Sequence, residues 1–108
     1  MYLLATATLV LLSLQNVAAG TIPEMEIRQT NTKCSISGTS AAVNCRQGPT
    51  RSYPSVTSFR PGESFAVQCM ADGEGIDGEK AWGYLPAWDC WVAVRWTDLG
   101  CKRKLSVC

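Results

Sequence analysis

The sequence predicts an all-β, disulfide-stapled single domain, a small barrel or sandwich of short antiparallel strands. Three observations carry that expectation. Six cysteines, Cys34, Cys45, Cys69, Cys90, Cys101 and Cys108, fall in a chain of 108 residues without a single Cys-x-x-Cys pair, a pattern of structural bridges rather than of zinc ribbons or thioredoxin-type redox chemistry. From Cys34 onward, short apolar stretches are broken about every 8–12 residues by Gly, Pro, Ser or Asp. No segment holds a helical period.

Composition narrows the chemistry. The chain has no histidine, 10 Lys+Arg against 9 Asp+Glu and a net charge of +1. Ser-His-Asp and Cys-His hydrolases, His-ligated zinc enzymes and His-ligated haem are therefore excluded. A balance this neutral offers no overall footprint for nucleic acid.

Residues 1–19 read as a secretory signal peptide. They carry no charged side chain, include the run Leu9-Val10-Leu11-Leu12 and end in Val17-Ala18-Ala19, small residues where a signal peptidase cuts. Thr6, Thr8, Ser13, Gln15 and Asn16 interrupt the stretch, so it is too broken to serve as a membrane span. The mature protein is expected to be secreted, extracellular, monomeric and without a membrane span. Export in turn favours disulfides, which a domain with a limited core needs. Residues 20–33, polar and charged with Glu24, Glu26 and Arg28, read as a loose N-terminal arm.

The elements follow in order. Ala41 to Arg46 is the first strand, with Val43 and Cys45 alternating against Asn44 and Arg46, and Gln47-Gly48-Pro49 ends it. Arg60-Pro61-Gly62-Glu63 places Pro and Gly at the centre of a type II turn. Phe65, Val67 and Cys69 then share one face of the next strand. Asp72 to Glu79, rich in Gly and acids, reads as a long mobile loop. Its four carboxylates do not follow the ligand spacing of a calcium loop, so a solvated loop is the plainer reading. Trp82-Gly83-Tyr84-Leu85 is a strand. So is Cys90 to Thr97, with Cys90, Val92, Val94 and Trp96 on one face and Trp91, Ala93 and Arg95 on the other. A Cys45 to Cys69 bridge between the two early strands fits these faces, leaving Cys34, Cys90, Cys101 and Cys108 to tie down the C-terminal extension. That extension, residues 102–108, carries Lys102-Arg103-Lys104 and reads as a solvated turn, with Lys102-Arg103 also matching a secretory processing site.

The run Ala42-Val43-Asn44-Cys45-Arg46-Gln47-Gly48-Pro49-Thr50, followed by Ser52-Tyr53-Pro54-Ser55-Val56, resembles the opening of bacterial-type Src-homology-3 domains, usually Leu-Asn-Val-Arg-Ser-Gly-Pro-Ser. Pro61-Gly62-Glu63, Trp82-Gly83-Tyr84-Leu85 and Cys90-Trp91-Val92 resemble that family's later turn, its Trp-Tyr-Lys-Val strand and its Gly-Trp-Val, in the family's order. Cys45 and Cys90 depart from it, standing where many relatives have valine and glycine, and the cysteine-bearing extension is an addition. A cysteine-rich, single-domain secreted form of this kind is similar to small fungal secreted proteins. The resemblance implies a Src-homology-3-like antiparallel β-barrel over residues 34–101 and a role in binding cell-wall material.

The candidate ligand-binding residues are aromatic: Trp91 with Arg95 beside it on the outward face, then Trp82, Tyr84, Trp88 and Tyr53. A barrel this small hides one or two tryptophans completely, so the others keep a face or an edge in water. Trp82 and Trp96 also suit at least partial core duty, and Trp91 could pack beneath a loop. The expected ligand is a cell-wall glycan or peptide, with no cofactor, no metal and no catalytic residues. A secreted effector that binds a host or competitor protein would have the same composition. An enzyme would have to run on paired carboxylates among Glu63, Asp72, Glu74, Asp77, Glu79, Asp89 and Asp98, for which the spacing offers no positioned pair.

Overall fold

The computed structural model describes residues 31–108. The segments read from the sequence as a signal peptide and, for the most part, as an N-terminal arm lie outside these residues. Seven strands are present: β1 (Thr32–Ser35), β2 (Val43–Arg46), β3 (Ser55–Phe59), β4 (Ser64–Val67), β5 (Cys69–Ile76), β6 (Glu79–Leu85) and β7 (Cys90–Ala93). Among the described residues a 3₁₀ turn (Val94–Trp96) and one short helix, α1 (Leu99–Lys104), follow the strands. The strands form two antiparallel sheets, one of β1 and β4, the other in the order β3-β2-β7-β6-β5. No ladder joins the two sheets into a closed cylinder.

Alternation sets the faces. On β2 Cys45 is buried while Asn44 is exposed, as the sequence pattern requires. The registers Tyr84↔Trp91 and Leu85↔Cys90 carry the same division across β6 and β7. Cys45, Leu85, Cys90 and Val92 thus face the core, where they meet Phe59, Phe65 and Val67. Close approach of β4 to β6 depends on Gly83, because a Cβ there would lie 2.8 Å from Val67 Cγ1. The Arg60–Glu63 turn forms as expected, with Gly62 at φ 88° and Glu63 N–H donating to Arg60 O at 2.9 Å.

All six cysteines pair, as Cys34–Cys101, Cys45–Cys90 and Cys69–Cys108. The expected Cys45 to Cys69 bridge is therefore corrected. In the sheet order β7 and β6 separate β2 from β5, which puts the two cysteines about 14 Å apart at ordinary strand spacing, twice the reach of a disulfide. Cys90 on neighbouring β7 is within reach, with a Cα–Cα distance of 5.4 Å.

Four other expectations change. Strand β1 begins at Thr32, inside the segment assigned to the loose arm. Asp72 to Glu79 is no mobile loop: it is the end of β5, a two-residue turn and the start of β6. Asp77 and Gly78 have φ of 49° and 87°, and Ile76 pairs with Glu79 across them, the arrangement of a type I′ hairpin. The strand expected over Cys90 to Thr97 stops at Ala93 and coils into the 3₁₀ turn. Finally, Lys102-Arg103-Lys104 ends a helix rather than forming a turn. That helix is held to β1 by the buried Cys34–Cys101 bridge and by a reciprocal pair, Asp98 N–H to Ser35 O at 2.9 Å and Ser35 N–H to Asp98 Oδ1 at 2.8 Å.

The β5 edge is covered by the C-terminal tail. Val107 bridges Met70 in parallel, Met70 N–H donates to Ser106 O at 2.9 Å, and Cys108 N–H donates to Met70 O at 2.8 Å. Among the described residues no helix is long and apolar enough to cross a membrane.

Candidate functional site

The side chains that point away from the core across β2, β7 and β6 define the site. Arg46 on β2 is the register partner of Trp91 on β7, which is in turn the partner of Tyr84 on β6. Trp91 and Tyr84 are both half-buried and pack as a tilted pair with ring centroids 5.1 Å apart. The Tyr84 hydroxyl donates to Asp89 Oδ1 at 2.8 Å, and this hydrogen bond raises the phenol above its ordinary pKa. Two of the expected residues therefore form one aromatic platform.

The other four go elsewhere. Arg95 does not project beside Trp91, because the strand ends before it. Its guanidinium lies 4.5 Å over the Trp96 ring and 3.5 Å from Asp77. Trp82 is only 1% exposed, and its indole N–H donates to Glu74 O at 2.8 Å, so it serves as a floor rather than as an exposed ring. Trp88 is 48% exposed but turns its edge to Phe59 at a centroid distance of 6.1 Å, outside the Trp91–Tyr84 pair. Tyr53 is 45% exposed and lies across Gly48, where a Cβ would collide with its ring.

Next to the platform is a hollow of ≈ 250 Å³ whose floor is Trp82 and Ala93. Thr39, Ala41, Ala42, Val43, Ile76 and Trp96 also line it, and Asn44, Arg46 and Arg51 supply its polar groups. The Arg46 side chain is fixed by a hydrogen bond from its Nη1 to Tyr53 O at 2.9 Å. Arg51 is bound to Glu74 by three contacts: its backbone N–H to Oε1 at 2.6 Å, Nε to Oε2 at 3.0 Å and Nη2 to Oε2 at 2.8 Å. Hydrogen bonding to Arg51 holds the Glu74 carboxyl below its usual range and pushes the Arg51 guanidinium up. Beneath this ion pair the chain packs against itself. Glu74 N–H donates to Pro49 O at 2.9 Å, and a Cβ on Gly73 would collide with Pro49 O and come 2.9 Å from Trp82 Cδ1.

Sequence reasoning missed Arg46, Arg51 and Asn44 as site residues and gave Trp96 at least partial core duty without naming it as a site residue. The outward face of Asn44 and Arg46 was readable from alternation. Their neighbourhood to Trp91 was not, because it depends on β2 lying beside β7.

Three of the acidic residues are committed to ion pairs within the fold. Glu74 pairs with Arg51, Asp77 with Arg95 and Glu79 with Lys102. Hydrogen bonds from Lys102 Nζ and from the Ala81 N–H keep the Glu79 carboxyl below its ordinary value. Cys34, Asp98 and Cys101 bring ligand-type atoms within 4.8 Å of one another, but both sulfurs belong to one disulfide and offer no thiolate to a metal. Compared with known protein families the chain matches none, and no curated protein matches it.

Proposed function

We propose that the protein is a secreted, non-catalytic binding module for cell-wall polysaccharide or peptidoglycan-type ligands, in which the strands form a disulfide-stapled version of the Src-homology-3-like barrel. The observation that carries this reading is the Trp91–Tyr84 platform, half-exposed on a paired sheet face and bordered by Arg46. A flat apolar surface beside a guanidinium suits the faces of sugar rings. The commitment of Glu74 and Glu79 to ion pairs that lower their pKa supports a non-catalytic role, since a general acid at neutral pH needs the opposite shift. Three disulfides in a small domain fit an extracellular location.

Adsorption tests the reading. The oxidised protein is mixed with insoluble chitin, β-glucan and peptidoglycan, and depletion from the supernatant is measured beside Trp91→Ala, with a thermal melt to show that the variant folds. Selective depletion that the folded variant loses is the expected result, and absence of depletion by every polymer rejects the reading.

The alternative, a secreted effector that binds a host or competitor protein, is favoured by a different feature. Strand β3 is the last strand of its sheet, and Ser55–Phe59 carries no charged side chain and leaves Val56 exposed. An extended peptide can add to such an edge. Loss of pull-down of a protein target on charging the edge with Val56→Lys, with wall adsorption absent, selects this second reading.

A further inference from the structure

We infer that the hollow beside the aromatic platform takes the carboxylate of a single acidic sugar residue, with Arg46 as the anion-binding group; this rests on the glycan-binding reading above. The hollow brings Arg46 together with apolar surface from Ala93, Ile76 and Trp96. Three of the protein's cations are each matched to a carboxylate, Arg51 to Glu74, Arg95 to Asp77 and Lys102 to Glu79. Arg46 has no carboxylate within 4.0 Å among the described residues, and its one side-chain hydrogen bond among them is to the Tyr53 carbonyl. It is a held guanidinium with donors left over, and a carboxylate is the planar anion that two of those donors can grip together.

The surroundings select the ligand further. Glu74 engages Arg51 directly and Arg46 at longer range, so Arg46, Arg51 and Glu74 together carry a net single positive charge, which suits a monoanion better than a phosphate dianion. The acids Glu74 and Asp77 stand close to Arg51 and Arg95, so a dense polyanion would be repelled where an isolated acidic sugar is not. A peptide is disfavoured by the floor itself. There Trp82 of β6 is paired with Ala71 of β5 on one side and with Ala93 of β7 on the other, so β6 has no free ladder for an extended backbone to join. Continuity with Trp91 through Arg46 gives the next ring of a glycan chain a surface to lie on.

The test is an NMR titration of the oxidised protein with D-glucuronic acid, its methyl ester, glucose and N-acetyl-alanine. The acid is expected to shift the Arg46 and Trp96 resonances with an affinity at least about tenfold above that of the ester and of glucose, and to weaken as salt is raised. Arg46→Gln should lose about tenfold in affinity for the acid, and Arg46→Lys, which keeps the charge but not the fork, about fivefold. Equal shifts from acid and ester, unchanged binding in both variants, or shifts from N-acetyl-alanine alone would overturn the inference. Adsorption to neutral polymers that persists without any response to glucuronic acid also defeats it while leaving the module reading intact. A response to the acid without adsorption to any polymer does the reverse.

Discussion

The two faces of the five-stranded sheet are built to different rules. The inward face holds Cys45, Leu85, Cys90 and Val92, each with 0% exposure, and gains its order from packing and a buried bridge. The outward face holds Arg46, Tyr84 and Trp91, all half-buried, and gains its order from hydrogen bonds, ring contacts and the packing of Trp91 on a small apolar cluster of Ile76, Trp82 and Ala93. Strand pairing fixes both at once, since the register that sets Leu85 opposite Cys90 in the core also sets Tyr84 opposite Trp91 on the platform. Stability and recognition are therefore separable by mutation in this sheet even though they alternate along the same strands.

The largest expected effect comes from the inward face. Replacing Cys45 and Cys90 together by alanine removes a cross-link between residues 45 apart in sequence, worth about 4 kcal/mol in the chain-entropy account. It also removes two sulfurs from a closed core. Urea unfolding should show a loss of that order, and a change below about 1 kcal/mol would break the distinction between the faces. The Cys69–Cys108 bridge sharpens it. Cys108 is exposed and the bridge holds only the tail against the β5 edge. The chain-entropy figure for its 39-residue loop is nearly the same, about 4 kcal/mol, but Cys69→Ala with Cys108→Ala should cost less than the core pair because the tail frays ahead of global unfolding. Amide exchange should quicken most at Met70 and Cys108, ahead of the core amides.

The smallest effect belongs to the polar ties. The folded-state pKa of Glu79 is depressed, so its pairing with Lys102 contributes stability above the unfolded value of about 4.3. That contribution is lost as pH falls through the lower folded value. Glu79→Gln should flatten the acid side of the stability curve by about 0.5 kcal/mol once solvent screening is counted. Thermal melts between pH 7 and pH 3 measure it, and an acid limb identical to that of the parent protein would remove the ion pair from the account.

Local pattern was enough for β2, for the turn at Arg60–Glu63 and for most of β6, because each depends on residues a few positions apart. The hairpin at Asp77-Gly78 was also legible, as Asp-Gly between extended segments is a strong turn signal. The acids and glycines around it drew the reading toward a loop. The bridge partners and the union of Arg46 with Trp91 were not legible, since both follow from sheet order, which no local spacing encodes. The end of β7 was hidden for a similar reason. Alternation continues in the sequence past Ala93 while the chain turns to pack Arg95 on Trp96.

The close approach at Gly73 bears on the kinetics of any ligand that enters the hollow. The close approach lets Glu74 N–H donate to Pro49 O and its carboxylate hold Arg51, so the loop that carries Arg51 is tied to the hairpin. A wall that does not part needs no closing step after encounter. Association should then run as a single phase with a rate linear in ligand concentration, and variants that differ in affinity should differ mainly in how long the ligand stays.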